Sequence, residues 1–166
     1  MNSDRIITEI PVEEKIARIL LHKQMTVTTA ESCTGGLVAG TLVNVSGISE
    51  VFREGYVTYS NEAKHRILGV RNETLMKYGA VSRQTAEEMA AGAARAAGAD
   101  ASVVTTGIAG PDGGSEEKPV GLVYIGCYVN GRITVKKCFY GGDRQHVRNS
   151  AVKEALDILY CQLLML

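Results

Sequence analysis

The sequence predicts an α/β chain: a three-layer α/β/α sandwich around a mixed, mostly parallel sheet that contains one antiparallel hairpin. Three observations predict it. Segments with helical periodicity alternate with short runs rich in Val, Thr and Ile, the pattern of a sheet covered by helices. Asn130-Gly131 joins two such runs, "VGLVYIGCYV" and "RITVKKCFY", as a type I′ turn would, which demands at least one antiparallel pair. The 166 residues suffice for one sizeable core but not for two, so residues 1–166 form a single domain.

The elements follow in order. Pro11 suits a first helical position, and Ile16, Ile19 and Leu20 recur at helical spacing before Met25. Thr26–Ala30 reads as a strand. After Gly36, "LVAGTLVNVSG" is small and apolar, a helix buried on much of its surface. "YVTYS" (56–60) reads as a second strand, and "NEAKHRILGV" as a short helix capped by Ser60 or Asn61. "SRQTAEEMAAGAARAAGAD" is the clearest helix. Ser82 caps it, Gly98 ends it, and Ala86, Met89, Ala90, Ala93 and Ala97 line one face that can lie close on a sheet. "ASVVTTGIAGPDGG" is a buried strand running into a glycine-rich loop. Beyond the hairpin, Asp143 opens the last helix.

Charge and cysteine usage exclude several classes. Eighteen Lys and Arg balance eighteen Asp and Glu, so no global field draws nucleic acid or an anionic membrane, and aromatic residues are scarce. Any anion site must be local. Cys33, Cys127, Cys138 and Cys161 lack CxxC spacing, which argues against zinc and for reduced thiols. The opening "MNSDRIITEIP" has neither a basic nor an apolar leader region, and no run approaches 18 apolar residues. The expectation is a soluble cytoplasmic protein with no metal, no nucleic-acid partner and no membrane partner.

Ligands in such sheets sit at the carboxyl ends of strands. Three polar, glycine-bearing segments fall there: Glu31–Gly36, Thr105–Gly114 and Gly141–Arg148. Ser32 lies where a strand becomes a helix, and the N–H groups of Cys33, Thr34, Gly35 and Gly36 could stabilise an oxyanion. Equally, Ser32 or Thr34 could merely cap the helix. A serine nucleophile needs a base, and His22, His65 and His146 all sit in helices without an acid partner. Lys64 falls in the first turn of its helix, where the dipole and partial burial would lower an ammonium pKa; the alternative is a solvated lysine. Tyr59 could orient Lys64 or relay a proton, or be a strand aromatic with a wet hydroxyl. Thr106, Gly107, Gly110, Pro111, Gly113 and Gly114 form a loop that is neither a Walker loop nor GxGxxG, and that permits close approach of a ligand. Arg144 and Arg148, four apart at a helix start behind two glycines, read as an anion site or as surface charge.

Five of these pieces, "TAESCTGG", "YSNEAK", "TGIAGPDGG", "KPVGLVYIG" and "GDRQHVR", stand in an order that resembles the nicotinamide-nucleotide amidase family. That family comprises the stand-alone PncC enzymes and the carboxyl-terminal domain of competence-damage protein CinA. The resemblance runs from about Val12 to Leu159. It implies a three-layer α/β/α fold and hydrolysis of nicotinamide mononucleotide to nicotinic acid mononucleotide and ammonia, with no cofactor. It implies Ser32 as nucleophile, Lys64 as base and Tyr59 as assisting hydroxyl. The nucleotide would be bound by Glu31 to Gly36, by the Thr106–Gly114 loop and by Arg144 and Arg148. Family members commonly self-associate, so a homo-oligomer is expected. One departure is Glu54-Gly55, where the family often has Gly-Gly. The alternatives are an amidase for another carboxamide and a non-catalytic nucleotide-binding module.

Overall fold

The computed structural model describes residues 10–166, and the reading of the first nine residues given above lies outside the described residues. The described residues form six α-helices and five strands. They run α1 (Val12–Lys23), β1 (Val27–Glu31), α2 (Leu37–Leu42), β2 (Phe52–Val57), α3 (Asn61–Leu68), α4 (Asn72–Tyr78), α5 (Arg83–Ala97), β3 (Ala101–Gly107), β4 (Leu122–Val129), β5 (Arg132–Phe139) and α6 (Arg144–Leu164). The sheet order is β2-β1-β3-β4-β5. The β1–β2 and β1–β3 pairs are parallel, and the β3–β4 and β4–β5 pairs antiparallel, so β4 alone runs against the other strands. This is the predicted mixed α/β/α sandwich.

Two cores flank the sheet. On one face α1, α2 and α6 cover Val27, Val103, Val123, Ile125 and Cys127. On the other, α3, α4 and α5 cover Ala30 and Val104. The alanine face of α5 does what it predicts. Ala86, Met89, Ala90 and Ala93 are fully buried, and a Cβ on Gly126 of β4 would meet the Ala86 carbonyl at 2.7 Å. Ala97, expected on that face, is only half-buried. Ser82 and Asp143 cap α5 and α6, and Asn130 (φ 47°) and Gly131 (φ 89°) make the hairpin turn.

The departures have local causes. Pro11 is the N-cap of α1 rather than its first helical residue. The strand expected at 26–30 lies one residue later, and the one expected at 56–60 is Phe52–Val57. The second error arises because β2 is an edge strand, largely exposed, without the apolar alternation that marks a covered one. Ser60 instead caps α3, accepting from the Ala63 N–H at 3.1 Å. The helix after Gly36 stops at Leu42, and a short 3-10 turn at Ile48–Glu50 follows. Helix α4 was not expected; it buries only Thr74 and Leu75, too few residues for a periodic stripe.

The topology creates one crevice. After β1 the chain turns to α2 on one face, while after neighbouring β2 it turns to α3 on the other. Loops that part in this way leave a gap at the carboxyl ends of the two strands.

Candidate active site

Ser32 is the first residue beyond β1, held by its N–H donating to Thr105 O at 3.0 Å. Thr58, the first residue beyond β2, likewise donates to Glu31 O at 2.9 Å. Both strands thus continue their ladder for one residue and bring the two loops together. Into the gap comes Lys64 from the first turn of α3. Its Nζ lies 3.3 Å from Ser32 Oγ and 2.9 Å from the Thr58 carbonyl oxygen. Lys64 is 1% exposed and Ser32 9%.

Electrostatics favour the neutral amine. Burial lowers the Lys64 pKa from the usual lysine range, because an ammonium taken from water needs an opposite charge and here finds a hydroxyl and a carbonyl. A Cys33 thiolate would oppose that shift. Burial pushes the Cys33 thiol itself up to about 11, so at neutral pH it carries no charge. An uncharged Nζ donating to Thr58 keeps a lone pair for the Ser32 proton.

Neither Ser32 nor Thr34 caps α2. Glu31 does so from the strand end. One of its oxygens accepts from Gly36 N–H (2.9 Å), Val38 N–H (3.0 Å) and Thr34 Oγ1 (2.6 Å), and the other from Ala39 N–H (2.9 Å). Thr34 Oγ1 also meets Thr105 Oγ1 at 2.7 Å. The buried carboxylate therefore builds the turn that carries Ser32 and does not face a ligand. Glu31→Ala leaves three helix-start N–H groups, one buried and two part-buried, without their acceptor, at about 1–3 kcal/mol for a buried group and less for the others. We expect a stability loss of about 3–5 kcal/mol in urea unfolding. A loss below about 1 kcal/mol would mean that the turn does not depend on this carboxylate.

The cleft beyond the pair has a volume of about 270 Å³. Ser32, Cys33, Tyr59, Lys64, Thr106, Gly107, Gly110, Gly113 and Arg144 line it as the sequence suggested. Glu31, Thr34, Gly35, Gly36, Pro111, Gly114 and Arg148 do not line it. Gly114 packs on its own loop, where a Cβ would meet Val120 N at 2.8 Å. Sequence reasoning missed Ala80, Val81, Ile108, Ala109 and Asp112. The last three lay within the glycine-rich motif. Ala80 and Val81 had no signal, since Ala80 arrives through its carbonyl, which accepts from Thr106 Oγ1 at 2.7 Å.

Two expected roles shift. Tyr59 is 62% exposed at the rim, its hydroxyl accepting from Arg144 Nη2 at 3.2 Å, with no hydrogen bond to Lys64. The two arginines also separate. Arg144 spans the cleft mouth, donating to Gly110 O at 2.7 Å as well, whereas Arg148 turns inward to the carbonyls of Cys33 (3.1 Å) and Thr34 (3.0 Å). No histidine lines the cleft. Among the described residues no group of three or more His, Cys, Asp or Glu could hold a metal ion, and no helix is long and apolar enough to cross a membrane.

A family model described as the CinA C-terminal domain matches residues 9–163. A competence-damage inducible relative from Clostridium beijerinckii is 60% identical over 151 residues, 91% of this chain and 37% of its own length. A CinA-like protein of Kosmotoga olearia is 56% identical over 158 residues, covering 95% of this chain and 38% of itself. The chain thus spans less than two-fifths of these curated relatives. Among solved structures, a competence/damage inducible protein from Agrobacterium tumefaciens superposes with a TM-score of 0.85 at 46% identity, over 95% of this chain and 99% of its own. A CinA superfamily protein from Enterobacter cloacae gives 0.89 at 36% identity, over 98% of each chain.

Proposed function

Because the chain belongs to the CinA C-terminal domain family, and because a buried amine meets a serine hydroxyl beside its cleft, we propose that it is an amidase. On this reading it hydrolyses nicotinamide mononucleotide to nicotinic acid mononucleotide and ammonia. The observation that carries the reading is the 3.3 Å approach of Lys64 Nζ to Ser32 Oγ, with a hydroxyl and a carbonyl as the amine's hydrogen-bond partners.

The steps follow from that pair. Neutral Lys64 takes the Ser32 proton as Oγ attacks the carboxamide carbon, and the C=O electrons move to oxygen. The tetrahedral oxyanion collapses, the C–N bond breaks, and the Lys64 ammonium returns the proton to the leaving amide nitrogen, giving ammonia. Water, deprotonated by Lys64, then attacks the acyl-enzyme, and Ser32 Oγ leaves with that proton. The product acid dissociates to its carboxylate. Cys33, although it lines the cleft, is a poor rival nucleophile because its thiol stays protonated. The pyridinium ring withdraws electrons and makes this amide more reactive than an ordinary one.

Arg144 supports a phosphate-bearing substrate. Its bonds go to a carbonyl and a phenol oxygen, neither of which neutralises the guanidinium at the cleft mouth. The partners on this reading are the nucleotide and, as the family implies, further copies of the chain. Arg144→Ala is expected to raise KM for the mononucleotide about tenfold or more, and less than about threefold for the riboside lacking phosphate. Equal changes for the two would remove the phosphate role.

The decisive assay measures ammonia from purified protein with nicotinamide, its riboside and its mononucleotide in parallel, with chelator present. Turnover of the mononucleotide above the others is expected. Thermal stabilisation by the nucleotide with no ammonia from any of the three would instead identify a binding module.

A further inference from the structure

Arg148 reaches from α6 to the turn after β1, and each of its contacts there is to a backbone oxygen. Nε donates to Cys33 O and Nη2 to Thr34 O, while Nη1 meets Gln145 Oε1 at 3.4 Å. The side chain lies outside the cleft lining that Arg144 joins.

The consequence follows from peptide planarity. The Cys33 carbonyl and the Thr34 N–H belong to one rigid plane and point in opposite directions, so an anchored oxygen fixes the direction of that N–H. In the same way Thr34 O shares a plane with the Gly35 N–H, which donates to Ser32 O at 3.1 Å. The arginine thus closes the turn onto the serine itself. In this turn the Gly35 N–H is held by Ser32 O and the Gly36 N–H by Glu31. That of Thr34 has no acceptor among the described residues but is fully buried with its residue, and that of Cys33, in one plane with the Ser32 carbonyl that the Gly35 N–H holds, meets only its own thiol. Of the four turn residues only Cys33 lines the cleft, so the four-donor oxyanion site expected from the sequence is reduced to its N–H.

Resting on the amidase reading, we infer that Arg148 is a positioning residue: by holding the Cys33 and Thr34 carbonyls it fixes the turn that aims the cleft-lining Cys33 N–H as the oxyanion donor, and it does not bind the substrate phosphate. The two arginines of the same helix turn then divide the work, Arg144 acting on substrate affinity and Arg148 on the barrier.

The test compares the wild type with Arg148→Lys and Arg148→Ala, using the mononucleotide and its riboside. We expect kcat to fall about a hundredfold in Arg148→Ala on both substrates, with KM within about threefold, because loss of oxyanion stabilisation acts only in the transition state. Arg148→Lys, able to hold one carbonyl at a time, should fall between, and millimolar guanidinium should restore part of the Arg148→Ala rate but not its thermal stability. Should Arg148→Ala fail to fold, Arg148→Lys carries the comparison. Binding of pyridine-3-boronic acid, read by boron NMR as a tetrahedral Ser32 adduct, should weaken in the variants by a factor similar to the loss in kcat. An unchanged kcat, or a KM rise confined to the mononucleotide, overturns the assignment. A wild type that takes the boronate but turns over none of the amides contradicts the substrate and leaves Arg148 to be judged on the boronate. One that does neither removes both.

Discussion

Ser32→Ala is expected to release no ammonia from nicotinamide mononucleotide above background, a fall in kcat of about 10⁴-fold or more. The change deletes one oxygen from a nearly buried site. Lys64 keeps its bond to the Thr58 carbonyl, and the turn keeps the Glu31 and Arg148 contacts. Fold and nucleotide binding should therefore survive. Cys33 does not substitute for the lost hydroxyl, because its thiol titrates near 11 and no hydrogen bond joins it to Lys64. Ammonia release in steady state, with nucleotide-dependent thermal shift as the folding control, checks this. Normal turnover in a well-folded Ser32→Ala protein would strike the hydroxyl from the mechanism.

Lys64→Met is the second large effect, and it moves two observables in opposite directions. Activity should fall about 10³- to 10⁴-fold, since the base that takes and returns the proton is gone. Stability should rise by about 1–4 kcal/mol near neutral pH, because a buried amine that must give up a proton the unfolded chain keeps is replaced by an apolar side chain of similar length. The sign with pH can be worked out. In the unfolded chain this lysine titrates near its ordinary value of about 10.4, and in the folded protein below it. Between the two values the unfolded state holds more protons, so wild-type stability rises with pH across that window. Below the folded value the full penalty applies. The stability gap between Lys64→Met and the wild type should thus be widest at low pH and close as pH approaches the unfolded value. Urea titrations across that range measure it, and a gap independent of pH would mean that the amine is not depressed. On the catalytic side, wild-type kcat/KM should climb as pH passes upward through the same lowered pKa, where the amine becomes a base.

What could be read in the chain was what acts over a few residues. Ser82 and Gly98 bound α5, Ser60 caps α3, and Asn130-Gly131 closes the hairpin, because caps and turns satisfy their hydrogen bonds within about four positions. The alanine face of α5 was legible for a related reason: side-chain volume along one stripe sets how near a helix can lie to a sheet. Those signals, with two long apolar runs for β3 and β4, were enough to predict the layered architecture. The glycine-bearing strand ends likewise marked the region where the cleft lies.

What depends on distant partners could not be read. Glu31 looks like any acid at a strand end until α2 offers it three N–H groups, and Arg148 looks like a phosphate ligand until the turn after β1 folds beneath it. Both choices follow from where helices settle on the sheet, not from spacing along the chain. The meeting of Ser32 and Lys64 is of the same kind. It exists because β1 and β2 are parallel neighbours whose following loops part to opposite faces, and because the crevice between them excludes water from the amine. Strand order and burial are properties of the whole packed domain: sequence alone supplied the hydroxyl and the amine, and only the tertiary structure decided that they touch and that the amine is desolvated.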